Sequence, residues 1–153
     1  MIYYGRQDIN QDDIEAVRAV LASDFLTQGP AIEHFEQTVA SYCGAKYAVA
    51  VCNATAALHI ACRAAGLEPG DVLWTAPNTF VASANCGLYC GSDVDFVDID
   101  AQTYNMSTQE LEKKLASSAK KPKVLVPVHF SGQPCDMEQI HRPAKDHDIT
   151  IVE

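Results

Sequence analysis

Short runs of apolar residues alternate along the chain with longer segments in which apolar residues recur every three or four positions. The short runs are typical of buried strands, and the longer segments are typical of amphipathic helices. Strands are predicted at 47–51, 72–75, 94–98, 123–128 and 149–152. Helices with their capping residues are predicted at 10–21, 30–44, 54–65, 81–89, 107–115 and 136–145. Because the two kinds of element alternate, we expect an α/β fold with a mixed, mostly parallel sheet flanked by helices on both faces.

Residues that favour helix ends support this assignment. Asn10 precedes the first helix, Pro30 opens the second, and Gly44 ends it. Ser107 is followed three residues later by Glu110, which is the spacing of a capping box. In the second helix we expect a buried apolar stripe made of Ile32, Phe35, Val39 and Tyr42.

Composition and charge narrow the classes of function. The chain has 153 residues, enough for one domain with a core, of which 48% are hydrophobic and 20% charged. It carries 20 acidic against 11 basic residues, and the lysines between 113 and 123 are typical of a solvated surface, so we expect no nucleic-acid partner. No apolar run is long enough to cross a bilayer and the N-terminus lacks the layout of a signal peptide. We therefore expect a cytoplasmic protein with no membrane partner.

Six cysteines lie at positions 43, 52, 62, 86, 90 and 135. Without a secretory signal they are expected to stay reduced, and Cys52 and Cys62 lie in strongly apolar stretches. Cys86 and Cys90 are one helical turn apart and would suit zinc together with a histidine, but no second close pair completes a ligand set. We therefore interpret the cysteines as small buried hydrophobic residues rather than metal ligands.

The junction between the predicted strand 47–51 and the following helix has the composition of an anion site. Unpaired N–H groups at a helix N-terminus attract phosphate or carboxylate. The small residues Ala54 and Ala56 let such a group approach, and the Thr55 hydroxyl adds a donor. The simpler interpretation is that Asn53 or Thr55 only caps the helix. Phe80, after the next predicted strand, either stacks on a planar ring or packs into the core.

Three segments, 53–57, 76–80 and 129–132, each follow a predicted strand. In parallel sheets, ligands bind at the carboxyl ends of the strands, so we expect these segments to converge on one site. The chain has no GxGxxG or P-loop sequence, which argues against a nicotinamide-binding domain.

Four blocks of sequence together resemble the DegT/DnrJ/StrS sugar aminotransferases, which are pyridoxal 5′-phosphate (PLP) enzymes of the aspartate aminotransferase fold. The blocks are VCNATAALHIAC, EPGDVLWTAPNTFVASANC, VDFVDIDAQTYNM and VLVPVHFSGQPCDM, in that order. The opening of the chain, with LTQGP before an amphipathic helix, is similar too. The details look closest to the PseC branch, which aminates C4 of a UDP-linked 4-keto-6-deoxy N-acetylamino sugar in pseudaminic acid synthesis.

The resemblance implies a role for each candidate residue. The PLP phosphate would be cradled by Ala54, Thr55 and Ala56, and the pyridine ring would stack on Phe80. The pocket for the sugar nucleotide would be lined by Tyr4, Asp24, Phe25, Leu26 and Thr27. His129 and Gly132 would border the ring, although a turn-stabilising role for His129 is an equal alternative.

The resemblance also implies two functional residues that residues 1–153 do not include. One is an aspartate just beyond the last predicted strand that pairs with the pyridinium nitrogen, and the other is a later lysine that forms the Schiff base with PLP. No lysine here has a matching context. We therefore expect residues 1–153 to be an N-terminal segment plus the first, incomplete part of the PLP-binding large domain, inactive on its own.

For the whole protein, the resemblance implies transfer of an amino group from an amino acid, glutamate by expectation, to the keto group of a nucleotide-linked sugar. Family members are usually homodimers with active sites at the subunit interface. Two alternatives stay open. Relatives that replace the lysine are PLP-dependent sugar dehydratases, and a noncatalytic binding or assembly module is the second alternative.

Overall fold

The computed structural model describes residues 5–153. The chain divides into two compact units, one ending at Ala50 and the other spanning Val51–Glu153. Each unit is built around its own elements. The first contains two helices, and the second contains the sheet with four further helices.

The first unit consists of helices α1 (Gln11–Leu21) and α2 (Pro30–Cys43). As the sequence predicts, Asn10 caps α1 in a reciprocal capping box with Asp13, and α2 ends at Gly44, whose φ of 64° is the left-handed conformation that glycine tolerates. The predicted buried stripe of α2 is wrong for this unit. Tyr42 is 93% exposed, Ile32 and Phe35 are also exposed, and Val39 is half-buried, because neither helix buries a single residue.

The predicted strand at 47–51 is also wrong. The segment has no strand assignment, and its amide at Ala50 donates a hydrogen bond of 2.7 Å to the Glu36 carboxylate instead of to a neighbouring strand. An apolar run becomes a strand only where another backbone completes its hydrogen-bond ladder. Within residues 5–153, no strand pairs with this run.

The second unit contains a four-stranded parallel sheet. Its strands are β1 (Val72–Thr75), β2 (Asp93–Phe96), β3 (Val124–Val126) and β4 (Thr150–Ile151), in the spatial order β2-β1-β3-β4. The register places Trp74 opposite both Asp95 and Leu125. The prediction of an α/β fold with a parallel sheet is confirmed, and the predicted strands at 94–98, 123–128 and 149–152 are shorter than expected.

Helices cover both faces of this sheet. Helices α3 (Ala54–Ala64) and α4 (Ala82–Tyr89) share a core with Leu73, Val124 and Val126. Helices α5 (Thr108–Ser117) and α6 (Met137–Asp146) share the opposite core with Val72, Trp74 and Leu125. Neighbouring strand residues therefore point to opposite faces, and both faces are apolar, as expected for a parallel sheet buried on two sides.

Close packing fixes α4 against the sheet. A Cβ atom added to Gly87 would lie 2.9 Å from Val94 Cγ2 and 3.2 Å from Leu73 Cβ, so only glycine allows this approach. Thr75, at the end of β1, is fully buried, and its hydroxyl donates to the Val126 carbonyl at 2.9 Å. These contacts hold the ends of β1 and β3 together on the side from which the candidate loops leave.

The cysteines follow the predicted pattern only in part. Four of them, Cys62, Cys86, Cys90 and Cys135, are buried in the second unit, as small hydrophobic residues are expected to be. Cys52, predicted to lie in an apolar setting, is exposed, and so is Cys43. The expectation for Cys52 depended on the strand at 47–51, which the structure does not form. Among residues 5–153, no helix has the length and hydrophobicity needed to cross a membrane.

Candidate functional site

The N-terminus of α3 leaves hydrogen-bond donors available for a ligand. Asn53 is the N-cap, and its side-chain oxygen accepts the Ala56 amide at 2.9 Å. Within residues 5–153, the amides of Ala54 and Thr55 and the Thr55 hydroxyl have no hydrogen-bond acceptor. Asn53 therefore does cap the helix, and the cap uses only one of the N–H groups that a helix N-terminus leaves unpaired. Ala54 is exposed and Thr55 is half-buried, so the free donors face an accessible surface.

Phe80 lies in the loop that connects β1 to α4, and its side chain is 75% exposed. The alternative that Phe80 packs into the core is therefore wrong. The turn before α4 is ordered by a hydrogen bond of 2.8 Å between the hydroxyls of Thr79 and Ser83. Helices α3 and α4 pack together, since the His59 ring lies 5.4 Å from the Tyr89 ring and Cys62 and Cys86 share a core. The two candidate cofactor-binding segments thus flank one pair of packed helices.

Two asparagines connect the loops at the carboxyl ends of β1, β2 and β3. The Asn78 side-chain amide donates to the Tyr104 carbonyl at 2.8 Å. The Asn105 side-chain amide donates to the carbonyls of Gln133 and Pro134, each at 2.9 Å, and its oxygen accepts the Phe130 amide at 2.9 Å. For two of the three segments predicted to converge, 76–80 and 129–132, this chain of contacts supports the prediction and passes through the loop after β2. Among residues 5–153, no hydrogen bond joins segment 53–57 to them, so its convergence stays a prediction.

His129 stabilises its own turn. Its Nδ1 accepts the Cys135 amide at 3.0 Å, and its Nε2 lies 3.3 Å from a Glu153 carboxylate oxygen. Nδ1 must carry a lone pair to accept this hydrogen bond. In the neutral ring the hydrogen therefore sits on Nε2, which faces Glu153. Of the two alternatives for His129, the structure shows the turn-stabilising contact. Next to it, burial raises the pKa of the Cys135 thiol, and the negative charge of Glu153 acts in the same direction.

A carboxylate in the loop after β2 is held by its neighbours. The backbone amide and the hydroxyl of Thr103 donate to Asp100, and the Gln102 amide adds a third hydrogen bond. These donors lower the pKa of Asp100 from its usual value because they stabilise the charged form. The loop therefore keeps a fixed turn immediately before Tyr104 and Asn105.

The candidate substrate residues lie in the other unit. Asp24, Phe25, Leu26 and Thr27 form the exposed turn between α1 and α2, where Phe25 is 62% exposed. The turn approaches itself closely, because a Cβ on Gly29 would lie 2.9 Å from the Phe25 carbonyl oxygen. A cleft of about 370 Å³ lies beside Phe25 and Ile32. Tyr4 lies outside the described residues.

Comparison with known proteins identifies the family. The sequence profile of the DegT/DnrJ/EryC1/StrS aminotransferase family matches residues 7–153. The chain belongs to this family. The match covers both compact units, and it confirms the resemblance that the four sequence blocks indicated.

The similar proteins include one of polysaccharide biosynthesis and one of pseudoaminic acid biosynthesis. Spore coat polysaccharide biosynthesis protein SpsC of Bacillus subtilis is 41% identical over 145 residues, which are 95% of this chain and 36% of SpsC. Helicobacter pylori PseC, an aminotransferase of pseudoaminic acid biosynthesis, superposes with a TM-score of 0.89 and 29% identity over 97% of this chain and 40% of PseC. The predicted fold type is confirmed by these neighbours.

A third neighbour bears on the cofactor. A Streptococcus pneumoniae protein in its PLP form has a TM-score of 0.87 and 28% identity, covering 99% of this chain and 38% of that protein. Its presence among the neighbours confirms PLP as a cofactor used within the family. In each of these comparisons the chain spans well under half the length of the relative it matches, 36% in the case of SpsC.

Sequence reasoning did not single out Asn78, Asn105 or Glu153 as contributors to this edge of the sheet. A buried asparagine in a loop is uncommon because its amide needs partners, and Asn105 is only 4% exposed. The sequence shows the residue type but not its burial. Its three backbone partners lie 25 to 29 residues further along the chain, so no local pattern reveals them.

Proposed function

We propose that this chain forms the phosphate- and ring-binding part of a PLP-dependent aminotransferase acting on the keto group of a nucleotide-linked 4-keto-6-deoxy sugar, with glutamate as amino donor. Membership of the sugar aminotransferase family supports the reaction class. The similarity to SpsC and to PseC supports a role in making an amino sugar for a surface polysaccharide or glycan. The observation that carries the proposal is the set of unpaired donors at the N-terminus of α3, together with an exposed aromatic residue in the loop before α4, the helix that packs against α3.

The described residues fit the chemistry of PLP. A phosphate needs several donors and a positive field, and the amides of Ala54 and Thr55, the Thr55 hydroxyl and the dipole of α3 supply them. Alanine at positions 54 and 56 leaves the backbone open to a bulky anion. The flat pyridine ring needs an apolar face, and Phe80 presents one to solvent.

When bound, PLP supplies an electron-withdrawing ring that stabilises negative charge on the reacting carbon. The chain's own residues act by binding and orientation. The free donors at Ala54 and Thr55 would anchor one end of the cofactor, the small side chain of Ala56 would leave room beside them, and Phe80 would orient the ring. A ring held in one orientation would present its reactive carbon to the substrate in a constant position.

For the sugar nucleotide, we propose Tyr4, Asp24, Phe25, Leu26 and Thr27. Thr27 and Asp24 offer hydrogen-bonding groups for hydroxyls, while the exposed Phe25 ring offers an apolar face to a sugar or base. We further propose a homodimer with shared active sites. The exposed apolar residues of α1 and α2, among them Leu21 and Phe35, are consistent with surfaces covered in an assembly.

The test is binding of pyridoxine 5′-phosphate, which has the phosphate and ring of the cofactor but no aldehyde. Titration of the 153-residue chain should show saturable binding. Thr55→Val should raise the Kd about tenfold or more, because a hydrogen bond to a charged group is lost. Phe80→Ala should raise it about three- to tenfold, the value of an aromatic contact.

Thr108→Val is the matched control, because Thr108 also begins a helix and is also half-buried. It should leave the Kd unchanged. In the whole protein, formation of 2-oxoglutarate from glutamate in the presence of the keto sugar nucleotide tests the reaction itself. Absence of saturable binding, or equal effects of Thr55→Val and Thr108→Val, would refute the proposed cofactor site.

A further inference from the structure

Asn105 occupies a central position among the loops at the carboxyl edge of the sheet. Both hydrogens of its side-chain amide are used, one by the Gln133 carbonyl and one by the Pro134 carbonyl, and its oxygen is used by the Phe130 amide. Its side chain is almost completely buried. No other residue type of this size offers two donors and one acceptor in the same arrangement, so the contact set is specific to asparagine.

Tyr104, the residue before Asn105, is restrained by the loop that follows β1. Tyr104 has a φ of 61°, a left-handed conformation that is unfavourable for a tyrosine. Its carbonyl accepts the Asn78 side chain, and its ring lies 6.2 Å from the Phe130 ring. Backbone strain of this kind persists only where the surrounding structure holds it in place. Here the loops before and after supply the restraint.

The contacts form a continuous path. Asn78 lies two residues before Phe80 and binds the Tyr104 carbonyl, and Asn105 binds the loop at 130–134. His129 extends the path through the Cys135 amide to the Glu153 carboxylate. The loops that follow β1, β2 and β3 are therefore joined to the end of β4 by side-chain to backbone hydrogen bonds and one side-chain pair.

We propose that Asn105 is a positioning residue for the cofactor ring. It couples the loop at 129–134 to the loop at 76–80. The position of Phe80 therefore depends on the hydrogen bonds that Asn105 makes to residues 130–134, beyond the strained residue Tyr104. The role deepens the proposed function, since it concerns the ring-binding half of that same site. Asn105 itself belongs to the supporting shell and acts through Tyr104 and Asn78.

Asn105→Asp tests the coupling at nearly constant volume. The aspartate keeps an acceptor for the Phe130 amide but has no donor for the two carbonyls, and its charge faces their oxygens. We expect hydrogen exchange at the Gln133 amide, which donates to the Phe130 carbonyl, to accelerate at least about fivefold. We also expect the Phe80 ring resonances to shift, although Phe80 does not touch residue 105 in the proposed path.

Asn85→Asp is the matched control. Asn85 is half-buried on α4, and its side chain makes no hydrogen bond to any described residue. It should leave both readouts unchanged. Asn78→Ala, at the exposed end of the path, is a second variant that tests the same coupling if Asn105→Asp folds poorly. It should shift the Phe80 ring and also accelerate exchange at Gln133, since coupling between two loops acts in both directions.

Two ligands separate positioning from general loss of structure. Inorganic phosphate has no ring and needs only the proposed donors at the N-terminus of α3. The response of the Thr55 amide resonance to phosphate should therefore be unchanged in Asn105→Asp. The affinity for pyridoxine 5′-phosphate, which also requires Phe80, should fall about three- to tenfold. A variant that merely unfolded the site would lose both responses together.

The proposal is overturned if Asn105→Asp alters exchange at Gln133 without any change at Phe80, because the two loops would then be independent. It is also overturned if Asn78→Ala leaves the Phe80 ring unchanged. If the unaltered chain does not bind pyridoxine 5′-phosphate, the proposed function fails. The exchange and ring measurements still decide whether the two loops are coupled.

Discussion

The side-chain oxygen of Asn53 accepts the Ala56 amide at 2.9 Å, immediately beside the unpaired amides of Ala54 and Thr55. One residue therefore caps α3 and also borders the surface where a phosphate would bind. The cap and the proposed anion site use different N–H groups of the same helix turn. Substitutions at position 53 can separate the two roles.

We predict that Asn53→Asp mainly weakens ligand binding and that Asn53→Ala mainly lowers the free energy of unfolding. Aspartate caps as well as asparagine, so Asn53→Asp should leave the free energy of unfolding nearly unchanged. Its new charge should weaken binding of pyridoxine 5′-phosphate about tenfold, since two like charges near a protein surface repel by on the order of 1 kcal/mol or more. Asn53→Ala should lower the free energy of unfolding by about 1 kcal/mol. Urea unfolding and ligand titration measure the two effects.

If Asn53→Asp binds the ligand as tightly as the unaltered chain, the phosphate does not sit at this helix end. Thr108→Val serves again as the control for changes at a helix start elsewhere in the unit. Raising the salt concentration should reduce the penalty of Asn53→Asp, because the repulsion is screened.

Lys114 stabilises β1 from the surface. Its Nζ lies 4.8 Å from the centroid of the buried Trp74 ring, 2.6 Å from an Asp95 carboxylate oxygen and 2.6 Å from the Phe96 carbonyl oxygen. We predict that Lys114→Met lowers the free energy of unfolding by about 1–2 kcal/mol at pH 7, as a sum of a cation–π contact and a partly exposed ion pair. Trp74 is the only tryptophan in the chain, so its fluorescence reports the transition directly.

The cost of Lys114→Met should depend on pH. Burial tends to raise the pKa of Asp95, but Lys114 and the Phe96 amide outweigh it and hold the pKa below its usual value of 3.8. A carboxyl group with a lowered pKa stabilises the fold above its usual pKa and loses that effect as the pH falls through the folded value. The difference between the unaltered chain and Lys114→Met should therefore shrink below about pH 4. Lys113→Met, which removes an exposed pair with Glu110, should cost little at any pH.

The cysteines should separate into two reactivity classes. Cys43 and Cys52 are exposed, whereas the other four are buried. The contact with Cys86 and burial raise the pKa of Cys62, and burial raises that of Cys90. The same contact lowers the pKa of Cys86, so the slow reaction of Cys86 depends on its complete burial. Because the thiolate is the reactive form, we predict two thiols that react rapidly with a disulfide reagent and four that react at least about tenfold more slowly.

A stopped-flow thiol titration in buffer and in urea measures these classes. Replacing Cys43 and Cys52 by serine should abolish the fast phase and leave the slow one. A fast phase of more than two thiols would show that the core around Cys62 opens readily, contrary to its complete burial.

The sequence predicted the helices well because their signals are local. Asn10, Gly44, Ser107 and Asp136 each satisfy or end a helix turn within four residues, and all four do so in the structure. The strand at 72–75 was also predicted to the residue, since three apolar residues and Thr75 lie between turn residues and all four are buried. The prediction of a strand at 47–51 was wrong because a strand forms only with a partner strand, and local sequence does not reveal whether one is present.

Only part of the candidate site could be predicted from the sequence. The donors of α3 could be predicted from Asn53 to Ala56, because a helix N-terminus produces them wherever it occurs. The exposure of Phe80 could not, since the same sequence allows a buried or an exposed ring. The hydrogen bonds of Asn105 could not be predicted either, because its partners are distant in the chain.

The sequence by itself determined the family, the alternation of helices with parallel strands and the position of the helix N-terminus that we propose as the anion site. These follow from ordered motifs, from hydrophobic periodicity and from backbone groups that a helix always leaves unpaired. Only the tertiary structure decided which apolar residues are covered, which strands pair, and how Asn78 and Asn105 join the loops at the carboxyl edge. Burial and long-range hydrogen bonds depend on which segments meet in space, and that is a property of the whole packed chain.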